Sequence, residues 1–132
     1  MNFTEGQLFN STFQVTEELY NGFITLFKDR NPLHTNAAFA KEKGFDTIVM
    51  HGNILNGFLS YFIGECLPDK NVIIHTQEIQ YKKPVYINDM LAFTAEIASI
   101  TESVNVIEFK FFFENNEKIK VAKGKFQIGL LL

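Results

Sequence analysis

Residues 53–67, NILNGFLSYFIGECL, limit the folds open to this chain more than any other segment. Their apolar side chains run nearly all round a helix rather than down one stripe, which marks a helix buried on most sides. Gly57, Ser60 and Gly64 form a strip of small residues on it, where a backbone or a ligand can come close. Pro68 and Asp69 end it. A chain of 132 residues makes one domain with one core. That core has to form around this helix.

The flanking patterns say what surrounds it. Residues 7–15 read as a first strand. Thr16 then caps a helix, with Glu17 and Glu18 in its positive first turn. Leu19, Phe23, Ile24 and Phe27 follow at helical spacing, so this helix buries one face. Asn36 caps a short helix through Ala40, and Gly44 stops it. After the central segment the pattern turns to strand. Residues 72–81 form one long run, broken by Pro84. Residues 91–99 and 104–113 alternate apolar and polar. Glu114-Asn115-Asn116-Glu117 reads as a hairpin turn into a last strand over 118–130, with Ile119, Val121 and lysines on alternate positions. Helices first and a run of strands after them predict an α+β fold with an antiparallel sheet.

Composition excludes several classes of function. A net charge of −3 leaves no basic stripe for phosphates, so nucleic acid is not an expected partner. The lone Cys66 allows no internal disulfide and fits a reducing compartment. The N-terminus lacks a charged region followed by an apolar run, and no apolar stretch reaches the ~18 residues of a membrane span. A cytoplasmic protein without a membrane partner is expected. Fifteen phenylalanines and no tryptophan give an aromatic core. Phenylalanine has no polar tip, so some of these rings can line an apolar tunnel without needing a partner.

The chemistry points to Asp29-Arg30-Asn31-Pro32-Leu33-His34. Pro32 fixes its own φ and pushes Asn31 out of the α region. The six residues are therefore expected to form a bent loop, not a helix, folding Asp29 and His34 toward one point. A base and a second proton-handling group converging on one water is what water addition or removal requires. From spacing alone, such a pair is more often two ordinary surface residues.

The neighbouring residues add to this. Phe27, Asp29, Asn31-Pro32-Leu33-His34, Phe39-Ala40, Gly44-Phe45 and His51-Gly52 stand in that order before the apolar helix. This block resembles the MaoC-like dehydratase family, and within it the R-specific enoyl-CoA hydratases. Weaker likeness continues through Leu67-Pro68 and Tyr81-Lys82-Lys83-Pro84-Val85 to Asp89-Met90-Leu91, so it covers roughly residues 13–100. The resemblance implies the hot-dog fold, a curved antiparallel sheet wrapped around a central buried helix. It implies reversible hydration of a trans-2-enoyl thioester to an (R)-3-hydroxyacyl thioester. Coenzyme A or acyl carrier protein would then bear the substrate, with no cofactor besides. A dehydratase confined to carrier-protein substrates, or a non-catalytic acyl-thioester-binding module, are alternatives on the same fold.

The resemblance also suggests roles. Asp29 would be the base. His34 would hold the same water and help hand its proton to the α carbon. The thioester oxygen needs stabilising as it gains charge. Gly52 stands at a helix start, where free N–H groups and the positive dipole end are found; its other reading is a tight turn. Ser60 either orients Asp29, as the matching serine does in the hydratases, or bonds back to its own helical turn. Asn31 either positions the loop through its amide or is a plain turn residue. His51 is expected to shape the helix start, and His75 has no evident partner in its strand. His34, His51, His75 and Cys66 lack zinc-like spacing, so no metal is expected. No glycine-rich nucleotide loop and no G-x-S-x-G elbow are present.

Three positions depart from the family pattern. Asn36 stands where a second Asp often follows the His, Asn88 where Gly usually precedes Asp89, and Asp69 where Gly often follows Leu67-Pro68. The last two are turn positions that Asn and Asp tolerate; Asn36 bears on the electrostatics near His34. As for assembly, consecutive strand residues face opposite sides, so one of Phe111 and Phe112 points away from the central helix. Leaving such a ring wet is costly at ~25 cal/mol per Å², and open sheet edges invite pairing. A homodimer or a dimer of dimers is expected, with the carrier arm bound near the subunit boundary.

Overall fold

Alternation along three neighbouring strands sets where the core lies. Strands are numbered β1 (Leu8–Gln14), β2 (Val72–Tyr81), β3 (Met90–Thr101), β4 (Val106–Glu114) and β5 (Lys120–Leu130) in the computed structural model, which describes residues 2–132. They form one antiparallel sheet in the order β1-β3-β4-β5-β2. Leu91, Phe93, Ala95 and Ile97 of β3 are buried, as are Ile107, Phe109, Phe111 and Phe113 of β4 and Ala122, Phe126 and Ile128 of β5. In β3 and β4 these residues recur at every second position, and in β5 they keep the same parity with Gly124 between, so they share one face of the sheet.

That face holds the predicted apolar helix, α4 (Asn53–Tyr61), which a wider π turn extends over Phe62–Cys66. Phe58 stacks on Phe13 at 4.5 Å and Phe62 meets Phe93 at 4.8 Å, while Phe109 stacks on Phe126 at 4.6 Å. Each such pair adds about 0.5–1.5 kcal/mol beyond the area it buries. The hot-dog arrangement is therefore present, with one correction. Ile54, Leu55, Phe58, Leu59, Phe62 and Ile63 are buried, whereas Gly57, Ser60, Tyr61 and Gly64 are exposed. One sheet covers one side of a helix, so α4 is not buried on most sides within a single chain. The small-residue strip lies on the open side, where a Cβ added to Gly57 or Gly64 would touch nothing.

The first helices form as their caps dictate. Thr16 Oγ1 accepts the Leu19 N–H at 3.1 Å and starts α1 (Glu17–Phe27). Tyr20 is its buried residue and Phe27, expected on the buried face, is exposed. The segment Asp29–His34 also departs from expectation. It is a loop only as far as Asn31, and a one-turn helix, α2 (Pro32–Thr35), follows. Proline at the first helical position loses no hydrogen bond and has the right φ already, and Asn31 caps the turn from outside it. Asn36 caps α3 (Ala37–Glu42) through the Phe39 N–H, and Gly44 (φ 94°) ends it.

Three further expectations shift. Val104 lies in a 3-10 turn (Glu102–Val104), not in a strand. A register shift opposite Phe113 and Glu114 leaves both Val121 and Ala122 buried, so the exposed lysines of β5 jump from Lys120 to Lys123. The outward ring is Phe112, half-buried beneath the Lys120 ammonium at 4.4 Å from its centroid. A lysine thus covers it, and the ring does not call for a second subunit. His75, without an evident partner in sequence, accepts a hydrogen bond from Gln127 Nε2 at 3.0 Å beside a bulge. Asn88 occupies the left-handed region (φ 75°), and Asp69 Oδ1 accepts the Asn71 N–H at 2.8 Å, so both departures from the family pattern are accommodated as turns. Among the described residues no helix is long and apolar enough to cross a membrane.

Gly124 marks the closest approach of β2 to β5. A Cβ there would collide with the Glu78 carbonyl and come within 2.9 Å of the Phe111 ring. The carbonyl belongs to a paired strand and cannot swing away. Gly124→Ala is expected to lower stability by about 1–3 kcal/mol, seen as a lower urea midpoint at similar slope. An unchanged midpoint would contradict this close contact.

Candidate active site

The turn after α1 builds the site out of local hydrogen bonds. Lys28 leaves the helix in the left-handed region and Asp29 follows. Asp29 Oδ1 accepts the Asn31 N–H at 3.1 Å, Asn31 Oδ1 accepts the Leu33 N–H at 2.9 Å, and the Asn31 carbonyl accepts the His34 N–H at 2.8 Å. Asn31 is thus the pivot of the loop. Asp29 remains exposed.

His34 is held from outside this turn. Its Nδ1 lies 2.6 Å from the Val49 carbonyl, and the Val49 N–H donates back to the Leu33 carbonyl at 3.0 Å. A carbonyl only accepts, so Nδ1 carries the proton. In the neutral ring Nε2 is then a free acceptor. His34 and Asp29 both line one cavity of about 500 Å³.

His51 backs both residues. It is 2% exposed, and its Nε2 donates to the Asp29 carbonyl at 2.8 Å. Its ring stacks on His34 at 4.0 Å and 26°. From α1, Phe23 and Tyr20 pack on its other side at 4.7 and 5.3 Å. His51 therefore does more than shape the helix start. Its Nδ1 and the Tyr20 hydroxyl are buried without a hydrogen-bond partner. Burial, and then the charge of Asp29, raise the Tyr20 pKa above the usual phenol value, so the hydroxyl keeps its proton. Asp29, His34 and His51 each offer one atom within 4.8 Å of the others. The spacing rule gave no sign of this cluster, because the fold and not the sequence interval brings it together. Two of its ring nitrogens are already committed as N–H donors to carbonyls, an arrangement that suits proton handling.

Gly52 precedes α4, and neither its N–H nor that of Asn53 has a hydrogen-bond partner among the described residues. A side chain at Gly52 would press on the Tyr81 ring, 2.9 Å from an added Cβ. The glycine thus leaves a bare N–H at the positive end of the helix, facing the same cavity as Asp29. Tyr81, Lys82 and Lys83 also line this cavity. A second, apolar cavity of about 980 Å³ runs between α1 and α4, lined by Leu19, Phe23, Phe27, Phe58 and Tyr61 among others. Asp29 lines both cavities.

Ser60 is not brought to this cluster. It is exposed, lines neither cavity and makes no hydrogen bond to Asp29 within the chain. Conversely, sequence reasoning gave no role to Tyr20 or Tyr81. Tyr20 shares the face of Leu19, Phe23 and Ile24, and that spacing was its only signal.

The two carbonyl contacts fix opposite tautomers. Nitrogen-15 NMR is expected to find the proton of neutral His34 on Nδ1 and that of neutral His51 on Nε2. A neutral His34 protonated at Nε2 would overturn the assignment of its free acceptor.

Comparison with known proteins agrees with the geometry. The family model described as MaoC like domain matches residues 3–111. An (R)-specific enoyl-CoA hydratase of Aeromonas caviae is 34% identical over 80 residues, 61% of this chain and 60% of that protein. One of Rhodospirillum rubrum is 29% identical over 106 residues, 80% of this chain and 74% of that protein. The match to the A. caviae sequence thus spans less than two thirds of its length. The solved structure of an (R)-hydratase from A. caviae superposes with a TM-score of 0.88 at 24% identity, covering 97% of each chain, and so has the same fold. With a family match across most of its length, the chain belongs to the MaoC-like domain family.

Proposed function

We propose that this protein catalyses the reversible hydration of trans-2-enoyl thioesters to (R)-3-hydroxyacyl thioesters. One observation carries the reading: Asp29, at the junction of a polar and an apolar cavity, shares the polar one with the free His34 Nε2 and the unpaired Gly52 N–H. The acyl chain lies in the apolar cavity, and the thioester sits at the junction. The names of the A. caviae and R. rubrum relatives support the substrate class and the R configuration.

The chemistry follows from the groups present. A water bound between the Asp29 carboxylate and His34 Nε2 donates one hydrogen to each, since both are acceptors. As its oxygen bonds to the β carbon, one O–H breaks and the proton passes to Asp29. The π electrons move toward the thioester oxygen, where the Gly52 N–H and the start of α4 stabilise the enolate-like charge. The proton then returns to the α carbon from the Asp29–His34 pair, on the face where water added. The reverse sequence expels water. Three needs are met by this chain's own groups, so neither cofactor nor metal is called for. Coenzyme A or acyl carrier protein bears the acyl group as substrate.

The working unit is a homodimer or a dimer of dimers. β2 is an edge strand of ten residues, with Ile73 and Ile74 50% and 43% exposed. Beside it the small-residue side of α4 lies open, Ser60 included. A long apolar edge and an open helix face suit a second copy. A reducing, cytoplasmic setting fits the single free Cys66.

Loss of the conjugated thioester absorbance on a short enoyl-CoA tests the reaction. Asp29→Asn and His34→Gln are each expected to lower turnover by roughly 10²–10⁴-fold with the fold intact. Near-normal turnover in folded Asp29→Asn protein would rule out the assignment. For assembly, light scattering at low micromolar concentration should give twice the chain mass or a multiple of that. A fully active monomer would refute the dimer.

A further inference from the structure

The lining of the polar cavity includes two adjacent lysines that the reaction does not use. Lys82 and Lys83 line the same cavity as Asp29, His34 and Gly52. Their backbone is fixed: both N–H groups donate to the Val121 carbonyl, at 2.7 and 3.1 Å, and Pro84 follows directly. Their side chains are exposed and free. The three ion pairs among the described residues use Lys70, Lys110 and Lys125 instead. Asp29 is the only carboxylate lining the cavity. All this sits in a chain of net charge −3.

Two unpaired cations, consecutive in sequence and lining one cavity, are a recognition element for an anion. Ammonium groups act as point charges that suit a tetrahedral phosphate, whereas flat carboxylates favour the arginine fork. The Tyr81 ring packs against Gly52, and the lysines come one and two residues after it. The cations thus share the polar cavity with the proposed thioester site, and neither lines the acyl cavity. We propose that Lys82 and Lys83 form a phosphate subsite for the phosphopantetheine arm of the thioester carrier. This rests on the thioester reading of the site and adds how the carrier is recognised. Coenzyme A and holo acyl carrier protein both place a phosphate at this point of the arm.

Titration calorimetry with pantetheine and phosphopantetheine, which differ only in the phosphate, tests the subsite without turnover. Wild-type protein is expected to prefer phosphopantetheine by about tenfold or more. In the Lys82→Ala/Lys83→Ala double variant the preference should fall to within about twofold, with pantetheine affinity retained. If that variant does not fold, Lys82→Gln/Lys83→Gln serves, since it keeps the side-chain stems. A preference that survives in the folded variant, or that is absent from wild type, overturns the proposal. Wild-type preference without turnover of any enoyl thioester upholds the subsite and sinks the hydratase reading alone; turnover without preference does the reverse. Repeating the titration with coenzyme A and with holo acyl carrier protein identifies the source as the carrier that wild type binds more tightly. The variant should lose affinity for that carrier, and loss for neither carrier refutes the subsite.

Discussion

One part-buried hydrogen bond, from His51 Nε2 to the Asp29 carbonyl at 2.8 Å, ties the Asp29 loop to the start of the central helix. His51 lies two residues before α4, and Asp29 two residues after α1. That bond adds to the two hydrogen bonds that join Leu33 and His34 to Val49. Leaving a buried imidazole N–H unsatisfied costs about 1–3 kcal/mol, so the pairing is strongly held. Its stacking on His51 and its bond to the Val49 carbonyl fix the His34 ring relative to the same point. The chain of constraint is short. The sheet fixes α4 through Phe58 and Phe62, α4 fixes His51, and His51 fixes Asp29 and His34.

The environment of these groups is asymmetric, and the asymmetry suits a reaction with developing negative charge. Around Asp29 the nearby elements are neutral or donating: the protonated Tyr20 hydroxyl, the Asn31 N–H and the unpaired N–H at the start of α4. No second carboxylate lines either cavity. Asn36, two residues after His34, is neutral as well. It caps α3 through the Phe39 N–H, a task that a neutral amide oxygen performs as well as a carboxylate. The amide at this position therefore caps α3 without adding a negative charge to the turn that follows His34.

Much of this was legible in sequence. The apolar 53–67 run and the alternating strands gave the hot-dog core, because burial periodicity is a local property of the chain. The loop residues Asp29, Asn31 and His34 were also legible, through their order. What escaped depended on contacts across the fold. His51 takes its meaning from a carbonyl 22 positions away. Pro32 reads as a helix breaker until Asn31 is seen capping the turn it begins. Phe112 reads as an uncovered ring until Lys120, on the neighbouring strand, is seen lying over it. The bulge that separates Lys120 from Lys123 has no periodic signature. Ser60 reads as a partner of Asp29, yet in one chain it faces outward on α4.

The edge strand bears on the site as much as on assembly. Asn56, on α4, accepts a hydrogen bond from Gln77 and donates to the Tyr81 hydroxyl at 3.2 Å. Both partners belong to β2, so the edge strand is tied to the first turns of the helix that carries Gly52. Tyr81 then packs its ring on Gly52 itself. Any force that positions β2 is passed through one rigid ring to the N–H proposed to hold the thioester oxygen. The lysine pair follows immediately in sequence and is anchored to β5 through Val121. A second copy seated along β2 would thus press on the oxyanion donor, the cavity wall and the lysine pair together. β2 is thus both an edge of the sheet and, through Tyr81, a wall of the cavity, so whatever positions this strand also positions the ring against Gly52.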